Sequence, residues 1–330
     1  MNTRLSNFEL LRIVAMGGVM TLHACSAVNR HGLLFYFSLV SVNVFILISG
    51  YFKIKLKWKS FLNFIFLVTF WTCINAIWVI YENPTIGDKE LMLRMNPFKN
   101  WFISSYLLLM LLSPILNGFW TSTKNRGRFL LMWFCVEFLV DFIIPLKIWG
   151  VFGGGYTVFH FIGLYLLGAL IHDKNEKLNF LKRKNWLLMY IGITLISFII
   201  FKILEAVSSY QGFISLCARG LIQRLEFYSS PLVLVASVTL FVFFSEIRIQ
   251  SLLVNHIAQS MFAVFLAHCP GYYRQTIQCI GANHTGIAEF IMITGFVLAV
   301  FMGAVIVDQF RLIIWKGICL ICTKIYRTMA

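Results

Sequence analysis

A chain of 330 residues in which 59% of the side chains are hydrophobic and only 12% are charged is too apolar for a soluble globular protein. Too few polar side chains remain to cover a water-facing surface. The net charge of +15 does not indicate nucleic-acid binding, because the basic residues lie in short loops between apolar stretches. Composition therefore predicts an all-α membrane protein that contacts lipid and no nucleic acid, with a single domain over residues 1–330.

Ten apolar stretches predict transmembrane helices, each of which needs roughly 20 residues to cross a bilayer. In chain order the predicted helices are 8–28, 33–52, 60–81, 101–120, 128–145, 157–172, 186–206, 229–245, 251–269 and 288–315. Asp141, Pro145 and the three glycines at 153–155 interrupt the fifth and sixth stretches. The sequence shows no internal repeat of the kind that marks many transporters.

Lysine and arginine are distributed unevenly between alternating loops. Eighteen of the 28 lie in one set, which includes the N-terminus and the C-terminal end counted from Arg311, and eight lie in the other. Because positively charged loops stay in the cytoplasm, both termini are predicted to be cytoplasmic, which requires an even number of spans. The predicted location is the bacterial inner membrane, crossed many times.

The eight cysteines predict neither a disulfide framework nor a metal site. Most lie within apolar stretches, where cysteine packs as a small hydrophobic residue. Cys319 and Cys322 have the spacing of metal ligands, but no second pair or histidine cluster follows them. The residues before Cys25 loosely resemble a lipoprotein cleavage box, but Arg12 inside the same stretch favours a retained helix. We expect no metal and no permanently bound cofactor.

Three ionisable residues, Glu9, Arg12 and His23, lie in the first predicted helix, where such side chains usually face the interior of a helix bundle. Arg12 and His23 are eleven residues apart, so they lie within about 20° of one line along the helix and about 16 Å apart along its axis. This arrangement suits a long ligand with an anionic part near the cytoplasm and a reactive end near the imidazole. Alternatively, Arg12 reaches the lipid headgroups, with Glu9 as its ion-pair partner, and His23 bonds a neighbouring helix.

Other polar or small residues lie at positions that a packing role also explains. Ser49 and its neighbour Gly50 permit close helix approach, and Trp101 suits the aromatic belt at the outer membrane interface. His268 lies at the outer end of the ninth predicted helix, just before a proline, where a lone histidine is more often structural.

The sequence resembles the acyltransferase-3 family of integral-membrane acyltransferases. The resemblance begins with Asn7-Phe8-Glu9-Leu10-Leu11-Arg12 followed after ten residues by His23, which matches the family's Arg-x10-His signature. Further matching runs follow in the family's order: 44–51, Trp101-Phe102-Ile103 with Tyr106 and Ser113-Pro114, Tyr165-Leu166-Leu167-Gly168, 260–268 and Val307-Asp308-Gln309-Phe310-Arg311. The runs cover nearly the whole chain.

The resemblance implies transfer of an acyl group, usually acetyl from cytoplasmic acetyl-CoA, to a glycan hydroxyl. It makes His23 the general base or acyl relay and gives Arg12, with Glu9 beside it, a role in binding the donor. Lys53 and Lys55, with Lys57 and Lys59, either attract the donor phosphates or serve only as ordinary cytoplasmic cations. The resemblance also assigns five residues to lining the pore or orienting the substrate: Asn43, Ser49, Trp101, Tyr106 and His268.

Two departures from the family pattern bear on this assignment. Glu9 stands where family members often have aspartate, and we expect none of the periplasmic esterase-like domain that some members carry. The chain is therefore expected to complete the transfer alone or with a partner protein, and the sequence does not set its oligomeric state.

The leading hypothesis is a membrane O-acetyltransferase that modifies a cell-surface polysaccharide, such as O-antigen, capsule or exopolysaccharide, or its lipid-linked precursor. The alternative is a transporter or flippase for a lipid-linked glycan or a small organic acid, which buried Arg12, His23 and Lys202 would also suit. A scaffold without catalytic activity ranks third. Ionisable residues such as Arg12 and His23 are costly in a membrane core, and a scaffold would have no use for them.

Overall fold

The computed structural model describes residues 5–143, 153–174, 182–269 and 271–329, with side chains up to residue 322. These residues form helices and connecting turns, and no strand occurs among them. Pro145, and with it the end of the fifth predicted span, lies outside the described residues, as does Arg4 in the predicted cytoplasmic N-terminus. The all-α prediction is confirmed for the part of the chain that is described.

The helices of the described ranges are, in chain order, α1 (Ser6–Ala27), α2 (Leu33–Ser38), α3 (Ser41–Tyr51), α4 (Trp58–Glu82), α5 (Asp88–Met95), α6 (Trp101–Ser122), α7 (Arg126–Phe138), α8 (Val158–Asp173), α9 (Arg183–Ser208), α10 (Phe213–Leu225), α11 (Pro231–Ser245), α12 (Leu252–Ile257), α13 (Met261–His268), α14 (Gly271–Asn283) and α15 (Gly286–Met329). A π-helical turn, Leu139–Ile143, continues α7, and 3-10 turns form at Pro97–Lys99, Gly153–Gly155 and Ala258–Ser260.

Each of the ten predicted spans coincides with helix, but fewer meet the requirements for crossing a membrane. Six spans in the described residues are long and apolar enough: α1, α2 joined to α3, α4, α6, α9 and α15. A seventh requires α12–α13 and α14 to form one span, although they are bent by 73°. The apolar helices α8 and α11 are only 16 and 15 residues long. The structure thus supports a multi-pass membrane protein, with six of the ten spans supported by length and composition.

Three helices occupy segments that the sequence analysis treated as loops. These helices, α5, α10 and α14, are 8 to 13 residues long and carry polar side chains along with apolar ones. Each is too short and too polar to produce the long apolar run by which a spanning helix is recognised. The structure therefore adds three short helices within the connections between predicted spans.

The chain forms two compact units. The first comprises Met1–Leu56 with Asn100–Leu252, and the second comprises Lys57–Lys99 with Leu253–Ala330. Each unit is therefore built from two separate stretches of sequence.

In the first unit, two glycines let α3 and α8 approach to backbone contact. A Cβ atom on Gly50 would overlap the carbonyl oxygen of Tyr165, and one on Gly168 would overlap that of Leu47. Small residues allow such close packing between apolar helices. The packing role that the sequence indicated for Gly50 is confirmed, and Gly168 is its counterpart on α8.

In the second unit, polar side chains join α4 to α13 and α15. Arg311 donates from Nη1 to Asn63 Oδ1 at 3.1 Å, and it pairs with Asp308 one turn away on α15. Asn75 Nδ2 donates to the carbonyl oxygen of Leu266 at 3.3 Å. Arg311 and Asp308 are 1% and 0% exposed, so the pair lies inside the unit.

Candidate active site

The first helix holds Glu9, Arg12 and His23 without a break from Ser6 to Ala27. Arg12 Nη1 lies 2.8 Å from Glu9 Oε1, which forms the ion pair expected one turn apart. The Glu9 side chain is 8% exposed and that of Arg12 is 31% exposed. Glu9 therefore holds the guanidinium while leaving part of it accessible.

The unbroken helix fixes the relation between Arg12 and His23. They lie on one line of α1 about 16 Å apart, so they do not bond each other directly. The residues between them on that line, Met16, Val19 and Met20, are all buried. The two ends of the line are thus accessible while its middle is covered by packing.

His23 differs in exposure from its neighbours on α1. Leu22 and Ala24 are buried, whereas the His23 side chain is exposed although protein atoms surround it closely. An accessible imidazole can reach a reactant and exchange a proton with it. The structure therefore places His23 at an accessible position on α1.

The start of α1 is fixed by the end of α11. Asn7 Nδ2 donates to the carbonyl oxygens of Phe244 and Ser245, at 3.0 and 3.3 Å. These carbonyls belong to the last turn of α11, where backbone acceptors lack partners within the helix. The Asn7-Phe8 part of the matching run therefore sets the position of Arg12.

Ser49 and Tyr106 lie close together in the first unit. Ser49 Oγ donates to the carbonyl of Phe45 at 3.0 Å and lies 3.5 Å from the hydroxyl of Tyr106. Both side chains are half-buried, and the Tyr106 ring stacks on Phe102 with centroids 5.9 Å apart. The structure brings these two predicted residues together as a weak polar contact between α3 and α6.

Lys53 has a partner that the sequence did not indicate. Its ammonium lies 3.2 Å from Asp173 Oδ1, and Asp173 Oδ2 accepts from Arg126 and from the indole of Trp120, both at 2.8 Å. Lys53 therefore ties the end of α3 to the ends of α6 and α8. Lys55, two residues on, is exposed.

Trp101, at the start of α6, forms part of an aromatic cluster. Its ring lies 4.7 Å from that of Tyr156 and 5.8 Å from those of Tyr228 and Phe161, between centroids. The side chain of Asn100 caps the helix by accepting from two backbone N–H groups. Trp101 is half-buried and Tyr156 is 40% exposed, so the cluster reaches the surface of the unit.

Asn43 belongs to a buried hydrogen-bonded network that the sequence analysis missed. Asn43 Nδ2 donates to the carbonyl of Tyr228 at 2.9 Å, and its Oδ1 accepts from His160 Nε2 at 3.1 Å. His160 Nδ1 lies 2.7 Å from Glu137 Oε1. The three side chains are 0–1% exposed.

The hydrogen bond from Asn43 Nδ2 to the Tyr228 carbonyl determines where the protons lie along this network. Only the amide nitrogen of Asn43 can face the Tyr228 carbonyl, so His160 must carry a proton on Nε2. His160 Nδ1 and Glu137 Oε1 then share one further proton. Both ring nitrogens of His160 have hydrogen-bond partners, so this histidine is placed to position other groups. Glu137 and His160 could have been singled out from the sequence, because each is an ionisable residue inside an apolar stretch. The sequence does not show which residues they bond to.

A second histidine contact joins the loop after α1 to the end of α10. His31 Nδ1 lies 2.7 Å from Glu226 Oε1, which also accepts from the Tyr36 hydroxyl at 3.1 Å. The hydrogen bond to Glu226 raises the pKa of His31 above its ordinary 6.5, against the effect of burial, and the charges of Glu226 and Glu205 add to the rise. Lys202 pairs with Glu205 on α9.

The raised pKa of His31 predicts that this contact weakens as the pH rises. Because the folded-state pKa lies above the unfolded-state value, the bond stabilises the protein fully below about pH 6.5 and is lost as the pH rises through the folded pKa. We expect the melting temperature of the purified protein to fall across this range. His31→Gln should flatten the fall, whereas His256→Gln, at an exposed position on α12, should leave it. An equally steep fall in His31→Gln would contradict the assignment.

His268 lies in the second unit, at the end of α13. It is 2% exposed, its Nδ1 lies 3.1 Å from the carbonyl of Val264, and its ring contacts Phe265 and Tyr273. A bond to the carbonyl one turn back fixes the imidazole against its own helix.

Comparison with known families identifies the chain. The acyltransferase domain that defines the acyltransferase-3 family matches residues 5–308. The chain belongs to the acyltransferase-3 family. No curated relative and no solved structure matches the sequence. The acyltransferase-3 domain includes α1 with Arg12 and His23, and it extends through both compact units. Within the described residues, no group of three histidine, cysteine, aspartate or glutamate side chains could hold a metal ion.

The protein is thus a multi-pass membrane acyltransferase. The acyltransferase-3 family requires a donor and an acceptor for the acyl group, and membrane lipid surrounds the helices. In this member, an accessible histidine and a partly accessible, carboxylate-bound arginine lie on one continuous helix.

Proposed function

We propose that the protein is an O-acetyltransferase that moves an acetyl group from cytoplasmic acetyl-CoA to a hydroxyl of a cell-surface polysaccharide or its lipid-linked precursor. The observation that carries the proposal is the accessible His23 on α1, in line with Arg12, in an acyltransferase-3 domain. We place the protein in the bacterial inner membrane with both termini cytoplasmic, because its basic loops favour that orientation.

His23 acts at the reacting groups. As general base, its imidazole takes the proton of the acceptor hydroxyl while the hydroxyl oxygen attacks the thioester carbonyl. The tetrahedral intermediate collapses by breaking the carbon–sulfur bond, and the imidazolium returns the proton to the leaving thiolate. The products are an acetyl ester and CoA. As acyl relay, His23 itself would first accept the acetyl group and then pass it to the hydroxyl.

Arg12 binds a phosphate of the donor in this proposal. A guanidinium suits phosphate through paired, charge-assisted hydrogen bonds, and Glu9 holds it in place from the buried side. Lys55 is exposed and adds positive charge, whereas Lys53 contributes less because Asp173 already binds it. Since Met16, Val19 and Met20 are buried, the extended part of the donor passes beside the Arg12–His23 line.

Ester-linked acetate in the surface glycan tests the proposal. Mild base releases it from purified polysaccharide, and we expect it in the wild-type strain, its loss on deletion of the gene and its return on complementation. Unchanged acetate in the deletion strain would refute the proposal. In that case, movement of a lipid-linked glycan or organic acid without consumption of acetyl-CoA would establish the transporter alternative.

A further inference from the structure

A short segment between α10 and α11, residues 226–230, is held by side chains from several helices of the first unit. Asn43 binds the carbonyl of Tyr228, and Ser229 Oγ donates to Asp141 Oδ2 at 2.7 Å. Glu226 accepts from His31 and Tyr36. This segment is therefore fixed by polar contacts along its length.

The glycine turn at 153–155 packs closely against the same segment. Gly154 and Gly155 have φ of +70° and +88°, and a Cβ on Gly155 would lie 2.7 Å from the backbone nitrogen of Ser229. Gly154 N donates to Asp141 Oδ2 at 3.0 Å. These positive φ values favour glycine, and a side chain at position 155 would meet the backbone of Ser229, so the glycines permit this close approach.

The fixed segment presents Tyr228 to Trp101 and Tyr156. Tyr228 is 3% exposed and lies beneath the other two, with ring centroids 4.8 Å from Tyr156 and 5.8 Å from Trp101. Tyr156 and Trp101 thus present accessible aromatic surface on a support that has little freedom to move.

We propose that Trp101 and Tyr156 bind a sugar ring of the acceptor, and that Glu137, His160 and Asn43 are positioning residues for this subsite. The inference rests on the proposed function, since it assigns the acceptor's place in the same unit as His23. Glu137, His160 and Asn43 act through the Tyr228 backbone and do not touch the sugar.

The chemistry of the cluster fits a sugar better than a lipid chain. A sugar ring has apolar C–H faces and hydroxyls at its edge, so it is bound by aromatic faces with polar groups beside them. Here the Tyr156 hydroxyl supplies a polar group beside the aromatic faces. Tyr156 and Tyr228 each lie at the end of a segment that the lysine and arginine distribution predicts outside the cytoplasm, which is the side of a surface glycan.

The test compares acetyl transfer in membranes that carry the host's own glycan and lipid-linked sugars, with radioactive acetyl-CoA as donor. Tyr156→Ala and Trp101→Ala should each lower the transfer rate about tenfold, as expected for losing one aromatic contact and its supporting ring packing. The KM for acetyl-CoA should stay within about twofold, because the cluster does not bind the donor. Tyr210→Ala removes an aromatic residue that is 72% exposed in the same unit, and this variant should keep full activity.

The positioning residues are tested with a matched pair of variants. Glu137→Gln can still donate to His160 Nδ1 and should transfer near the wild-type rate, whereas Glu137→Leu should match Tyr156→Ala. A purely structural loss would lower the amount of folded protein and would alter the KM for acetyl-CoA as well as transfer.

The outcomes separate this inference from the proposed function. If wild-type membranes transfer no acetate, the proposed function fails. If they do, and Tyr156→Ala and Trp101→Ala transfer as well as wild type, the acceptor subsite is refuted while the proposed function stands. If those variants instead raise the KM for acetyl-CoA, the cluster serves the donor and the inference is wrong.

Discussion

Replacing His23 with alanine is expected to remove ester-linked acetate from the surface glycan while the protein stays in the membrane. His23 is the accessible imidazole of α1, and no neighbouring side chain on that line could take over proton transfer, because Val19 and Met20 are apolar. Loss of a general base lowers a rate by about 10²–10⁴-fold. The measurement is acetate released by mild base, normalised to the amount of protein in the membrane.

Two further variants define what the loss means. His23→Gln keeps a polar side chain of similar size but cannot take a proton at neutral pH, so it should be as inactive as His23→Ala. His256→Ala removes an exposed histidine from α12 and should leave acetate unchanged. Acetylation at half the wild-type level or more in His23→Ala would show that another group performs the proton transfer.

A labelling experiment on the wild-type protein distinguishes whether His23 acts as a general base or as an acyl relay. With radioactive acetyl-CoA and no acceptor, a relay leaves labelled acetyl on the protein, and hydroxylamine removes it. A general base leaves the protein unlabelled, because the acetyl group moves directly between donor and acceptor.

The apolar helices were predictable because their signal is local. A run of about 20 apolar residues specifies a helix in lipid whatever its neighbours are. The short helices α5, α10 and α14 carry no such run, so they were taken for loops. Their formation depends on packing against other elements, as for α10 against α9.

The candidate site was only partly predictable, because partners distant in sequence decide what a polar residue does. The spacing of Arg12 and His23 follows from helix geometry alone and needs no knowledge of other helices. The link between Glu137, His160 and Asn43 requires three helices to meet, and no local pattern records that. Likewise, Lys53 has the sequence context of a cytoplasmic cation, and only the structure shows it bound to Asp173.

Arg311 shows the same limit for topology. It was counted among the cytoplasmic charges, but it lies inside the second unit, paired with Asp308 and bonded to Asn63. Arg311 thus has a structural role inside the second unit. The bias of the loops toward one side persists without it, since it is a single charge among eighteen.

Replacing Arg311 should destabilise the protein more than breaking a surface ion pair does. The Arg311→Met variant leaves Asp308 buried and uncompensated, which costs about 3–5 kcal/mol, whereas an exposed pair contributes about 0–1 kcal/mol. Lys202→Met, which breaks the exposed pair with Glu205, is the matched control, with side chains 53% and 51% exposed. We expect Arg311→Met to lower the melting temperature by about 6 °C or more and Lys202→Met by about 2 °C at most.

Adding Asp308→Leu to Arg311→Met should restore much of the lost stability, because no charge is then left unpaired. The Asp308→Leu single variant completes the comparison. If the double variant loses as much stability as Arg311→Met and Asp308→Leu lose together, the two side chains do not stabilise each other.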